Sequence, residues 1–242
     1  MAWRDHEQPK RLRGLPMKKE GSAISYRVVA LSQVDGTSGE AVGRDVAREL
    51  GFGYLNEAIV TQVATDQGVD LDTVAGAEQR KSFLTRVAEA AARGAIDGGM
   101  SPDPSVYDFG QSEMLLSLIR DAVRDAADRG SVVLAAHAAC YACAGRPDVL
   151  RVCVTAPLPV RVSRVAAARG ITDKEAARWL RRSDAGRASY LKRVYDLSEE
   201  SPADYDLVIN TERLAPDAVA GLILSLVQAS PAPPRPAAAT GP

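Results

Sequence analysis

An apolar run, Tyr26-Arg27-Val28-Val29-Ala30-Leu31, leads through Ser32-Gln33-Val34 into a loop of small residues, Asp35-Gly36-Thr37-Ser38-Gly39, and then into a helical stretch over 40–50. A strand that ends in such a loop and opens a helix aims backbone amides and a helix N-terminus at an anion, so Gly36, Thr37, Ser38 and Gly39 are the candidate phosphate-binding residues. A full Walker motif reads G-x-x-x-x-G-K-[ST]. Counted back from Gly39, Val34 stands at the first glycine, Glu40 at the lysine and Ala41 at the metal-binding hydroxyl. The loop geometry is kept and its cation is replaced by a carboxylate, which repels the charge that a triphosphate brings.

Strand and helix signals alternate after the loop. Runs at 26–32, 131–136, 150–154 and 205–210 are short, rich in β-branched residues and followed by helical patterns, which argues for a parallel sheet with helices on both faces. The helix expected over 111–129 carries Met114, Leu115, Leu118, Ile119, Ala122, Val123 and Ala126 on one face, with Arg120, Arg124, Asp125 and Asp128 opposite. Thr172-Asp173-Lys174-Glu175 is a capping box that opens a long basic helix toward Tyr195. Residues 98–110 read as a long loop. Residues 1–24 form a basic arm and 231–242 a Pro/Ala-rich tail, neither with an apolar period, so both are expected to be disordered around one domain at 25–230.

With 46% hydrophobic residues and a net charge of −1, the chain can bury one sizeable core and offers no bulk attraction to nucleic acid. No apolar run approaches ~18 residues and the N-terminus lacks a signal-peptide centre, so no membrane is expected and a cytoplasmic location is. Three cysteines suit that reducing compartment.

The order of elements over 26–226 resembles the cytidylate kinase-like proteins, relatives of the nucleoside monophosphate kinases. Ser32 through Val42 is similar to that family's S-R-x-x-G-S-G-G-R-E-I loop, and Val46-Ala47-Arg48-Glu49-Leu50-Gly51 with Tyr54 to its L-A-x-x-L-G-x-x-Y continuation. Val152-Cys153-Val154-Thr155-Ala156-Pro157 and Arg161-Val162-Ser163-Arg164 resemble the strand and arginine-bearing helix that start its lid. Asp184 through Tyr190 resembles D-x-x-R-x-x-Y, and Tyr205 through Thr211 its Y-D-L-V-I-N-T final strand.

The resemblance implies an α/β, P-loop NTPase-like three-layer sandwich with a five-stranded parallel sheet, an NMP-binding insertion and an arginine-bearing lid. It implies ATP as phosphoryl donor and CMP or a related nucleoside monophosphate as acceptor. Phosphoryl transfer needs little from protein beyond positioning and charge neutralisation, so Arg161, Arg164 and Arg187 become the catalytic candidates. Asp184, Arg187 and His137 become the acceptor-binding ones, with Arg187 facing solvent while the site is empty. Mg²⁺ would be carried mainly by the nucleotide, with Thr37 or Ser38 partly replacing the hydroxyl missing at Ala41.

Two departures weaken the match. Gln33 and Glu40 stand where the family loop carries arginines, and Ala136-His137-Ala138 replaces its G-R-D element. Weak transfer is therefore one expectation. A degenerate protein of the same fold, sensing a nucleotide or engaging a protein partner, is the alternative. His137, Cys140, Cys143 and Cys153 invite a metal reading, but positions i, i+3 and i+6 fan round a helix, so no metal site is assigned. A dinucleotide-binding reading fails because G-x-G-x-x-G is absent.

Overall fold

The computed structural model describes residues 26–56, 58–60, 63, 77–92, 113–136 and 138–229. The first apolar run forms strand β1, Val28–Gln33. Val28, Val29, Ala30 and Leu31 are all fully buried, and the run is continuous rather than alternating because β1 is the middle strand of a sheet covered on both faces. β2 (Gly53–Leu55), β3 (Val132–Leu134), β4 (Val149–Thr155) and β5 (Leu207–Asn210) complete a five-stranded sheet of order β2-β3-β1-β4-β5, parallel at every pairing. Val28 of β1 stands opposite Val132 on one side and Val149 on the other.

Seven helices are described: α1 (Gly39–Leu50), α2 (Ala77–Ala92), α3 (Glu113–Arg129), α4 (Ala139–Ala142), α5 (Leu158–Arg169), α6 (Asp173–Tyr195) and α7 (Pro216–Ala229). α1 packs on α7 and the sheet, α2 on α3, and α5 on α6. Helix α1 buries Val42, Gly43, Val46 and Ala47 and closes on Gly51 in the left-handed region, whose amide returns to the Arg48 carbonyl. Helix α3 buries Leu118, Ile119, Ala122, Val123 and Ala126 and exposes Arg124 and Asp128, as its periodicity requires; Arg120 and Asp125 are half-buried. The capping box is present at α6: the Thr172 hydroxyl accepts from the Glu175 amide and the Glu175 carboxylate from the Thr172 amide.

Strand β2 was not among the expected runs. Three residues beginning with glycine carry too little pattern, and pairing with β3 defines the strand instead, continued by the Ala135 amide bonding the Leu55 carbonyl at 2.8 Å. The expected disordered segments at 1–24 and 231–242, the loop at 98–110 and His137 lie outside the described residues. Among the described residues, no helix is long and apolar enough to cross a membrane.

Candidate phosphate-binding site

The loop leaves the carboxyl end of β1 and turns at Asp35-Gly36 before α1 begins. Gly36 has φ +80°, and a Cβ there would lie 2.8 Å from the Arg161 carbonyl oxygen and 2.9 Å from its Cα. Only glycine lets α5 approach the loop this closely. Ser38 also has positive φ, 63°, where the family pattern carries glycine; a non-glycine residue held there stores strain of roughly 1–3 kcal/mol. The Gln33 side chain folds over the start of α1, and a Cβ on Gly39 would fall 2.9 Å from its Cβ. Helix α1 begins at Gly39, directly after the loop, and the amides of a helix's first turn have no earlier helical carbonyl to bond.

Thr37 is fully buried, and its hydroxyl donates to the Val34 carbonyl at 2.7 Å. Thr37 is thus not free to replace the hydroxyl missing at Ala41, contrary to expectation. The Asp35 carboxylate accepts from the Ser183 hydroxyl of α6. Ser38, the other residue expected to stand in for the missing hydroxyl, lines the cleft, so with Ala41 aliphatic a Mg²⁺ would be held mainly by the nucleotide itself.

Glu40 does not hang over the loop as an unpaired charge. Its carboxylate turns along α1 to Arg44, 2.9 Å away, whose guanidinium also lies 4.9 Å from the centroid of the Tyr54 ring. Loop, Glu40 and Ala41 form one side of a cleft of about 280 Å³, and Arg164, Val165, Ala168 and Arg169 from α5 with Trp179 from α6 form the other.

The three arginines singled out from the sequence differ in what they hold. Arg161 is buried; its Nε donates to the Asp35 carbonyl at 2.6 Å and its fork to Asp184 at 3.0 and 2.6 Å. Arg164 donates only to neutral oxygens: the Gly36 carbonyl at 3.3 Å, the Thr211 hydroxyl at 3.0 Å and the Thr211 carbonyl at 2.6 Å. No carboxylate among the described residues pairs with it. The Thr211 hydroxyl donates in turn to the Thr37 carbonyl at 2.9 Å. Carbonyls of three successive loop residues, Asp35, Gly36 and Thr37, are thus gripped from α5 and from the end of β5.

Arg187 is only 5% exposed and does not face solvent, which corrects the expectation for a lid arginine. Its Nε and Nη2 clasp Glu200 at 2.9 and 2.7 Å, Nη2 also reaches the Ser32 hydroxyl at 2.6 Å, and Nη1 reaches the Gln33 carbonyl at 3.0 Å. The Tyr205 hydroxyl donates to the same Glu200 oxygen. Burial pushes the Glu200 carboxyl up, but the Arg187 charge and hydrogen bonds from Tyr205, Arg187 and Ser32 outweigh it and hold the group below the usual carboxylate range. Asp184 and Arg187, expected to serve one acceptor together, are committed to different partners. Ser32, Asp35, Tyr205 and Thr211 lay inside the recognised patterns without being singled out; Glu200 and Ser183 carried no local signal.

Burial pushes the Cys140 thiol up to about 12 and those of Cys143 and Cys153 to about 11. Cys140 Sγ lies 3.3 Å from the Ala30 carbonyl, a packing contact at the back of β1. Among the described residues, no three His, Cys, Asp or Glu side chains are grouped to hold a metal ion.

A parallel sheet of this strand order, with a glycine-bearing loop between its central strand and first helix, defines a P-loop kinase-like, nucleotide-binding fold. The chain belongs to the cytidylate kinase-like family, whose model matches residues 28–213. It is 33% identical over 102 residues to a cytidylate kinase of Methanopyrus kandleri, a match covering 39% of this chain and 53% of that protein, so it spans about half of that relative. It is 27% identical over 193 residues to a cytidylate kinase of Ignicoccus hospitalis, covering 79% of this chain and 94% of that protein. A crystal structure of an uncharacterized protein from Eubacterium ventriosum shares the fold with a TM-score of 0.57 at 15% identity, over 84% of this chain and 98% of that one.

Proposed function

We propose that this protein binds a nucleoside triphosphate, ATP, by its phosphates in the cleft between residues 35–41 and α5, and transfers phosphate to CMP or a related nucleoside monophosphate only weakly. The observation that carries this reading is Arg164, a cleft-lining guanidinium with no carboxylate partner among the described residues. The loop lacks its lysine, and Arg164 supplies a positive charge to the same space from the neighbouring helix. Its fork can turn from neutral oxygens to phosphate oxygens without breaking an ion pair.

Weak transfer follows from the other two arginines. Arg161 and Arg187 already hold carboxylates, so neither offers uncompensated charge to a migrating phosphoryl group. The same observation supports the second reading, a nucleotide-sensing or partner-binding protein that keeps the fold and has given up rate.

Calorimetric titration of ATP and of inorganic tripolyphosphate into wild type and Arg164→Ala tests the site. Both ligands should bind wild type, and the substitution should weaken both by about ten- to a hundredfold, as loss of a charge-assisted bidentate contact does. Equal affinities in the two proteins would refute it. A coupled phosphotransfer assay across the nucleoside monophosphates then separates a slow enzyme from a sensor.

A further inference from the structure

Thr211 stands where the phosphate site joins the sheet. It follows β5 directly and is buried, and its amide donates to the Thr155 carbonyl at the end of β4 at 2.8 Å, so the strand ladder fixes its backbone. From there it holds two partners. Its hydroxyl has one proton, which goes to the Thr37 carbonyl of the loop at 2.9 Å, the Thr155 carbonyl lying farther off at 3.2 Å. The same oxygen accepts from Arg164 Nη1 at 3.0 Å, and the Thr211 carbonyl accepts from Arg164 Nη2 at 2.6 Å. One buried residue thus holds the loop and the cleft's unpaired cation at once.

A guanidinium has five N–H donors. Gly36 and Thr211 between them take both on Nη1 and one on Nη2, which leaves Nε and the other Nη2 hydrogen of Arg164 without a partner among the described residues. Those two lie side by side on one edge of the plane, the edge with which Arg187 clasps Glu200. We infer that Thr211 is a positioning residue for phosphate binding: it holds the end of the Arg164 fork against the sheet and keeps the Nε–Nη2 edge set for bidentate contact with a phosphate group. That the anion is a triphosphate rests on the function proposed above; the anchoring of Arg164 does not. In turning to a phosphate, Arg164 gives up its longest bond, 3.3 Å to the Gly36 carbonyl, and pivots on the two bonds to Thr211. The rotamer freedom that a long arginine would lose on binding is lost on folding instead, and loop and cation are aligned to one point.

Titration of tripolyphosphate into wild type, Thr211→Val, Thr211→Ser, Arg164→Ala and the double variant Thr211→Val with Arg164→Ala tests this. Valine keeps the branched shape and the carbonyl and loses only the hydroxyl. Thr211→Val should weaken binding by about five- to twentyfold, and Thr211→Ser, which keeps the hydroxyl, by less than about twofold. Added to Arg164→Ala, Thr211→Val should cost no more than about a further threefold, because its effect passes through the arginine. A threonine that only supports the fold would bring its full loss to the double variant. Should Thr211→Val not fold, the proton NMR signal of Arg164 Nε–H in the wild-type chain, assigned by its loss in Arg164→Ala, decides. A downfield shift on adding tripolyphosphate supports the preset edge, and an unmoved signal overturns it. Unchanged affinity in Arg164→Ala would sink the proposed phosphate site and the role of Thr211 together. Weakened binding in Arg164→Ala, with Thr211→Val binding as wild type or the two losses multiplying in full, would overturn the positioning role alone.

Discussion

Arg187→Ala should unfold the protein more readily before it says anything about binding. The guanidinium retains 6% of its surface and donates to Glu200, Ser32 and the Gln33 carbonyl; removing it strands a carboxylate that is three-quarters buried. Breaking one side of a buried pair costs about 3–5 kcal/mol, and the partial exposure of Glu200 favours the lower end, about 3 kcal/mol. At this chain length each kcal/mol lowers the melting temperature by about 2–4 °C, so a fall of roughly 6–12 °C is expected in differential scanning calorimetry. The double change Arg187→Met with Glu200→Leu should recover much of the loss, because it removes both charges and refills the volume. A fall of less than about 2 °C for Arg187→Ala, with a normal unfolding enthalpy, would refute the burial argument and return Arg187 to the open surface.

Gly36→Ala should destabilise the fold by about 1–3 kcal/mol in urea denaturation and weaken tripolyphosphate binding, since the new Cβ meets the Arg161 backbone at 2.8 Å and φ is +80°; a stable variant with wild-type affinity would contradict the described loop. Acid should destabilise in a defined window. Glu200, Asp206 and Asp148 are all held below their usual range, against burial that pushes each up: Glu200 by Arg187, Tyr205 and Ser32, Asp206 by Arg151, Asp148 by Arg146. Lowered folded values mean stability that is complete above the unfolded values and lost as pH falls through the folded ones, so unfolding free energy should be level above about pH 5 and fall below about pH 4. Glu200→Gln should make that fall shallower, and an unchanged slope would show that Glu200 does not titrate with folding. Glu40→Lys should improve tripolyphosphate affinity by only a few-fold at a stability loss below about 1 kcal/mol, because Arg44 already compensates Glu40 and the new lysine faces Arg44 instead; loss of binding would mean that Glu40 itself holds the loop.

The parts of this molecule written in near-neighbour spacing were legible. The buried run of β1, the loop, the helix that follows it, the amphipathic face of α3 and the capping box at Thr172 depend on residues a few positions apart, and each stands where its pattern put it. The site's charges were not legible, because their partners are remote: Arg161 meets an aspartate 23 residues away, and Arg187 a carbonyl 154 residues away. An arginine on a polar helix face reads as solvated until the packing of α5 and α6 brings it to the loop. Glu200 follows another glutamate in an exposed polar stretch, where nothing local separates the two.

The loop has lost both cations that its family pattern carries, at Gln33 and Glu40, yet Arg161 and Arg164 of α5 and Arg187 of α6 donate to the carbonyls of Gln33, Asp35 and Gly36. The positive charge that remains at the site is carried by the helices that grip the loop and not by the loop's own residues. A guanidinium engaged with a carbonyl stabilises the shape of an anion cradle without filling it, and only Arg164 among the three does so without a carboxylate partner among the described residues. Shape retention and charge delivery, which a loop lysine would combine, are here divided between residues, and that division is why binding is expected to outlast rapid transfer.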